Sequence, residues 1–212
     1  GRGLEGLEWL HFIDPTPGAL NETEGRPGFA EMPVIGPDGG FHWDSITVEM
    51  SSTSDAATIH YHLGPEIPGE EAPVYSEPVQ IDAFEATVVR AIAVEEGLWP
   101  SRVATRTLFL NRPIDMPVWS ITSKPMDLFS PESGIMHPRN IYENWEVDTH
   151  LEFYEADGSL ILASDAGLKL HGGATRTSAQ KGMRLLFRSG YGTAPFEHMV
   201  FPDNPVTEFH RL

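Results

Sequence analysis

Eighteen prolines and twenty glycines are scattered through 212 residues without a period, and no other feature limits the fold so severely. Proline removes a backbone donor and clashes with the preceding helical turn, and glycine weakens a helix interior. Their spacing excludes long uninterrupted helices and favours short strands parted by turns. No run of eighteen apolar residues occurs, so no helical membrane span is expected.

Between the breaks lie stretches of alternating apolar and polar residues, the pattern of a strand with one core face. Ile46–Met50, Thr58–Leu63, Pro78–Ile81, Thr87–Val94 and Val103–Leu110 follow one another, with turn signals at Gly64-Pro65, Pro68-Gly69 and Gly97–Pro100. Five short strands at this spacing predict a β-sandwich of the immunoglobulin-like kind over 41–112. Residues 1–40 hold turn chemistry at Pro15–Gly18 and Gly36–Gly40, with one candidate strand at Leu7–Ile13. They are expected to be a linker or the end of a preceding module. Arg112-Pro113 opens a third part, 113–212. Its expected elements are a strand at Val118–Thr122, a helical turn near Lys124–Phe129, and a hairpin of Val147–Tyr154 with Leu160–Leu162 about an Asp157-Gly158 turn. Two further strands are expected at Gly167–His171 and Met183–Phe187. The stretch Glu208–Leu212 reads as the entrance to another strand, and the chain is expected to be a piece of something longer.

Charge limits the partners. Fourteen Lys and Arg against 31 Asp and Glu give a net charge of −17, which would repel nucleic-acid phosphates over most of the surface. With no cysteine, disulfides, thiolate zinc sites and cysteine nucleophiles are excluded. The acid is unevenly spread. Residues 166–196 contain none, but they do contain Lys169, Arg176, Lys181, Arg184 and Arg188. Within this basic island, the connection from His171 to Gln180 carries Gly172-Gly173, Thr175 and Arg176. Paired glycines let backbone amides approach a ligand, and flanking Arg and Lys add full charges, which together suit a phosphate. The same stretch is equally readable as a basic strand pair with a Gly- and Ser-rich surface turn. It matches neither the Walker pattern nor the kinase glycine loop.

Two resemblances extend this reading. The segments ITVEMSS, ATIHYHL, PVYSEPVQI and TVVRAIAVEEGLWPSRVATRTLFL resemble the chitobiase/β-hexosaminidase carboxy-terminal-like, Fn3-associated repeat of bacterial surface proteins, which implies a spacer. The segments MPVWSITSKPMDLFSPESGIM, NWEVDTHLEFYEADGS and AGLKLHGGATRTSAQKGMRLLFRSGYG resemble the opening of the CotH kinase-like family. That likeness covers roughly 113–212 and runs from an apolar strand, through an LF-x-x-x-x-GI turn and a glycine-rich loop, to a basic K-x-x-R-L-x-F strand.

The second likeness implies an incomplete α+β kinase-like N-lobe of antiparallel strands, in a mainly β chain. It also implies ATP and Mg2+ as cofactors of the full-length family, and phosphate transfer to Ser or Thr only if the full-length protein is active. Gly172, Gly173, Thr175, Arg176, Lys181 and Arg184 would contact nucleotide phosphates, with Lys181 as the phosphate lysine. The family's catalytic acid and metal ligands lie beyond the matched segment. No catalytic residue and no metal ligand is therefore assigned here, and the fragment alone is expected to be inactive. A secreted or cell-surface bacterial protein is implied, with a protein substrate or a cell-surface component as partner, alongside further domains of the same polypeptide. The alternative is a non-enzymatic adhesion or spacer module.

Other chemistry is weaker. His60 and His62 share a strand face, but a third ligand with recognisable spacing is missing. Asp157 and Asp165 lack EF-hand spacing, and Asp157 is better explained by its turn. Trp43, Trp99 and Trp145 could stack on sugar, though packing explains tryptophans in a sandwich at least as well.

Overall fold

The computed structural model describes residues 1, 9–82, 86–192 and 194–212. Of the candidate strand Leu7–Ile13, Leu7 and Glu8 lie outside the described residues, and the rest contributes β1 (His11–Phe12), paired with β2 (Gly25–Arg26). The chain is mainly β. In order there follow β3 (Val34–Gly36), β4 (Gly40–His42), β5 (Ile46–Ser51), β6 (Thr58–Leu63), β7 (Val79–Ile81), β8 (Ala86–Val94) and β9 (Ala104–Leu110). Beyond them lie β10 (Val118–Thr122), α1 (Pro125–Phe129), β11 (Val147–Tyr154), β12 (Leu160–His171), β13 (Gly182–Leu186), β14 (Phe196–Glu197) and β15 (Glu208–Phe209).

Two compact units divide the described residues. The first holds β1–β3, β5–β7 and the stretch Val89–Arg106. β5 lies between β3 and β7, antiparallel to both, and β6 pairs antiparallel with β8 from Thr58↔Val94 to Leu63↔Val89. The alternation read from the sequence is realised: Val48 and Met50 of β5 are buried while Thr47, Glu49 and Ser51 are exposed. Ile35, Ile59, Ile81, Val89 and Ala91 are also buried. These strands make the β-sandwich repeat.

The second unit holds Gly40–Trp43, the first residues of β8, and Thr107–Leu212. Its centre is an antiparallel sheet in the order β10-β11-β12-β13. One face carries Leu151 and Phe153 from β11, Leu162, Ala166 and Leu168 from β12, and Leu185 from β13. Ile135, Phe187, Phe196 and Phe209 close over them, each less than a tenth exposed. Removing a side chain of this size from water contributes about 1.5–3 kcal/mol, so this cluster dominates the unit's stability. On the other face, Phe41 stacks on Phe109 at 4.7 Å, and both meet Tyr154 edge-on. There Glu152 is fully buried, and its Oε2 accepts the Thr107 N–H at 2.9 Å.

One expectation needs correction. The strands expected at Leu160–Leu162 and Gly167–His171 are a single twelve-residue strand. Ala163–Ala166 looks like a break because it is small and polar, yet Leu162, Ser164, Ala166, Leu168 and Leu170 keep strict period two and are all buried. Asp165, on the opposite face, is held by His150 Nδ1 at 2.8 Å. The Asp157-Gly158 turn forms as expected. Gly158 has φ +88, and the Asp157 carboxylate accepts from Ser159 N–H at 2.9 Å and Ser159 Oγ at 2.6 Å. The side-chain bond first, and the backbone bond with it, holds this carboxyl below its usual range. The expected strand entrance near the carboxy terminus is also present. β15 pairs with β14, and Leu185 and Leu212 exchange backbone hydrogen bonds of 2.8 and 3.0 Å. No helix among the described residues is long and apolar enough to cross a membrane.

Candidate functional site: the β12–β13 connection

β12 and β13 run antiparallel from Gly167↔Leu186 to His171↔Gly182. Beyond that pair the chain turns through Gly172 and Gly173 into a single 3-10 turn, Ala174–Thr177. Gly172 has φ +105, and a Cβ on it would lie 2.3 Å from Thr175 Oγ1, so only glycine fits. Gly173 differs: nothing stands within 4 Å of where its Cβ would be. The first glycine serves the turn, and the second opens the backbone to solvent.

The five cations do not act as one group. Arg176 is a clamp. Its Nε donates to Gly172 O at 2.7 Å, and its Nη1 donates to Ile141 O at 3.0 Å and Glu143 O at 3.4 Å, tying the loop to the 140s segment. Lys181 Nζ donates to Ser178 O at 2.9 Å within the loop. Arg188 Nη1 bonds Glu146 Oε1 at 2.5 Å. Lys169 and Arg184 are directly opposite one another across the strand pair. They share a face with His171, and Arg184 Nη2 lies 2.7 Å from His171 Nδ1.

The island is free of acid in sequence but not in space. The antiparallel register of β11 with β12 ends at Val147↔Leu168, and one step further Glu146 arrives against the island. Its Oε1 accepts from Arg188 and from Tyr191 OH, the latter at 2.7 Å. Burial first, and the bond to Glu146 next, push the Tyr191 phenol up to about 12. Sequence reasoning missed Glu146 because separations of 42 and 45 residues from Arg188 and Tyr191 hide a partner that the fold supplies.

The clamp makes a measurable prediction. Arg176→Ala should cost about 1 kcal/mol of stability, since it removes charge-assisted bonds to three carbonyls that water partly replaces. The check is the urea midpoint at unchanged m-value. An unshifted midpoint would mean that these bonds contribute nothing net.

Of the histidines and tryptophans singled out in the sequence, His60 and Trp99 have structural partners. Buried His60 places Nδ1 at 2.9 Å from Ala72 O. Trp99 donates Nε1–H to His11 O at 2.9 Å, with Arg26 over its ring at 4.4 Å. Trp43 and Trp145 are exposed. Among the described residues there is no group of three or more His, Asp or Glu that could hold a metal ion.

Residues 37–105 match the chitobiase/beta-hexosaminidase C-terminal domain, in line with a β-sandwich repeat there. No curated protein matches the sequence.

Proposed function

We propose that residues 113–212 form the amino-terminal lobe of a CotH-type, kinase-like domain whose β12–β13 loop handles the phosphates of ATP. The observation that carries this reading is a glycine-rich, cation-bearing loop joining two antiparallel strands of a four-stranded antiparallel sheet. Kinases cover nucleotide phosphates with a Gly-rich loop of their own, and catalysis of this kind depends on positioning and charge more than on covalent chemistry. The open backbone at Gly173 and the nearby Arg184 guanidinium, bonded to no carboxylate among the described residues, fit a phosphate group.

ATP bound with Mg2+ would supply the transferable phosphoryl group. The part of these residues is to hold and orient its phosphates. The reading assigns no catalytic base and no Mg2+ ligand to this chain, so the 212-residue polypeptide should bind nucleotide without transferring phosphate. For the β-sandwich repeat we propose a spacer role in a secreted or cell-surface protein, with a protein substrate or cell-surface component as partner. The internal bonds of His60 and Trp99 favour that over a ligand role.

Calorimetric titration of the chain with ATP tests the phosphate reading. Saturable binding that weakens as salt rises is expected, and absence of heat at millimolar ATP would overturn it.

A further inference from the structure

Building on the phosphate-handling role above, we propose that the phosphate contacts are made by Lys169 and Arg184, side by side on the sheet, and not by Arg176 and Lys181 of the loop. Period two along β12 and β13 puts Leu168, Leu170 and Leu185 in the core and turns Lys169, His171 and Arg184 to the other face. Lys169 and Arg184 are cross-strand partners, so their Cβ atoms are about 5 Å apart. Both are half-buried.

Like charges placed directly opposite one another destabilise a strand pair unless something negative lies between them. The chain has 31 acidic residues to draw on. Even so, Lys169 makes no hydrogen bond or ion pair among the described residues. Arg184 donates to His171, whose Nδ1 must offer its lone pair, with the ring proton on Nε2. The nearest acid by register is Glu146, opposite Lys169 on the side away from Arg184, and its Oε1 is already engaged by Arg188 and Tyr191.

The loop cations are otherwise occupied. Arg176 is spent on three carbonyls, and Lys181 bonds Ser178 O from an exposed loop. A polyphosphate chain, as in a nucleoside di- or triphosphate, has the oxygens to span both strand cations. The guanidinium fork takes two of them and the ammonium acts as a point charge on a third. On binding, Arg184 turns from His171 to the phosphate and the imidazole loses its donor.

The test uses the whole chain, with tripolyphosphate and ATP as separate probes. Lys169→Met and Arg184→Met should each weaken tripolyphosphate binding about tenfold or more, and Lys181→Ala less than about threefold. In the unsubstituted protein, tripolyphosphate should shift the His171 ring resonances, which needs no variant to fold. Equal binding by Lys169→Met, or an unmoved His171 signal on saturation, overturns this assignment and leaves ATP binding standing. Tripolyphosphate binding that depends on Lys169, with no gain for ATP, upholds the site and removes the nucleotide reading. No binding of either probe removes both.

Discussion

Gly134→Ala should destabilise the protein by about 3 kcal/mol. A Cβ at Gly134 would lie 2.4 Å from Ser130 N, 2.6 Å from Phe129 C and 2.6 Å from Ser130 O. All three are backbone atoms, so no side chain can rotate to make room. The turn is also bonded throughout. Gly134 N–H donates to Ser130 O at 2.9 Å, Ile135 N–H to Asp127 O at 3.0 Å, and Met136 N–H to Leu128 O at 2.8 Å. Asn140 Nδ2 spans Pro131 O and Gly134 O, each at 3.1 Å. Prising the turn apart would also pull Ile135, which is 3% exposed, from the core against Leu151 and Phe153. Urea unfolding followed by tryptophan fluorescence should show a lower midpoint, and an unchanged midpoint would mean that the turn relaxes freely. The LF-x-x-x-x-GI spacing seen in the sequence thus has a steric cause, independent of any ligand.

Most strands were legible because their period is strict. β10 and β11 coincide with the alternating stretches Val118–Thr122 and Val147–Tyr154, where one face meets the core and a one-residue slip would expose it. The middle of β12 was not legible. Ser164 and Asp165 imitate a turn, and their strand character comes from neighbours: His150 bonds Asp165, and β11 pairs along the whole stretch. Short strands failed for a related reason. β3 has three residues between Pro33 and Pro37, too few to display a period, and its strand form comes from β5.

The candidate site was legible as composition and not as geometry. Sequence alone marked the paired glycines and the absence of acid over 166–196. It could not separate a cation that braces the loop from one that faces solvent, because Arg176 and Arg184 look alike until their partners are known. Two of the three carbonyls that hold Arg176 come from Ile141 and Glu143, more than thirty residues away. Nor could it reveal that Lys169 and Arg184 are opposed, since that follows from the register of β12 with β13, whose last pair is His171 with Gly182.

Gly167→Ala should cost about 2 kcal/mol and should also change a titration. A Cβ there would lie 2.3 Å from Glu146 Oε1 and 3.0 Å from Tyr191 Cε2. The carboxylate must leave, and its bonds to Arg188 and Tyr191 leave with it. In the parent protein the Tyr191 phenol is raised to about 12 from the ordinary 10.0. The folded chain therefore holds that proton more tightly than the unfolded one. Between those two values the folded state carries the extra proton, so this contribution to stability is complete below the unfolded value and is lost as pH climbs through the folded one. Burial, the largest cause of the rise, remains when Glu146 is displaced, but the Glu146 bond and charge are lost, so Tyr191 should ionise part of the way back toward its ordinary value. Ultraviolet difference titration of the phenolate band reads this directly. Glu146→Gln provides the control: it removes the charge while leaving Gly167 untouched, and it should lower the Tyr191 transition in the same direction. A Tyr191 transition unmoved in both variants would show that burial alone sets it, and that the Glu146 carboxylate is not anchored where Gly167 admits it.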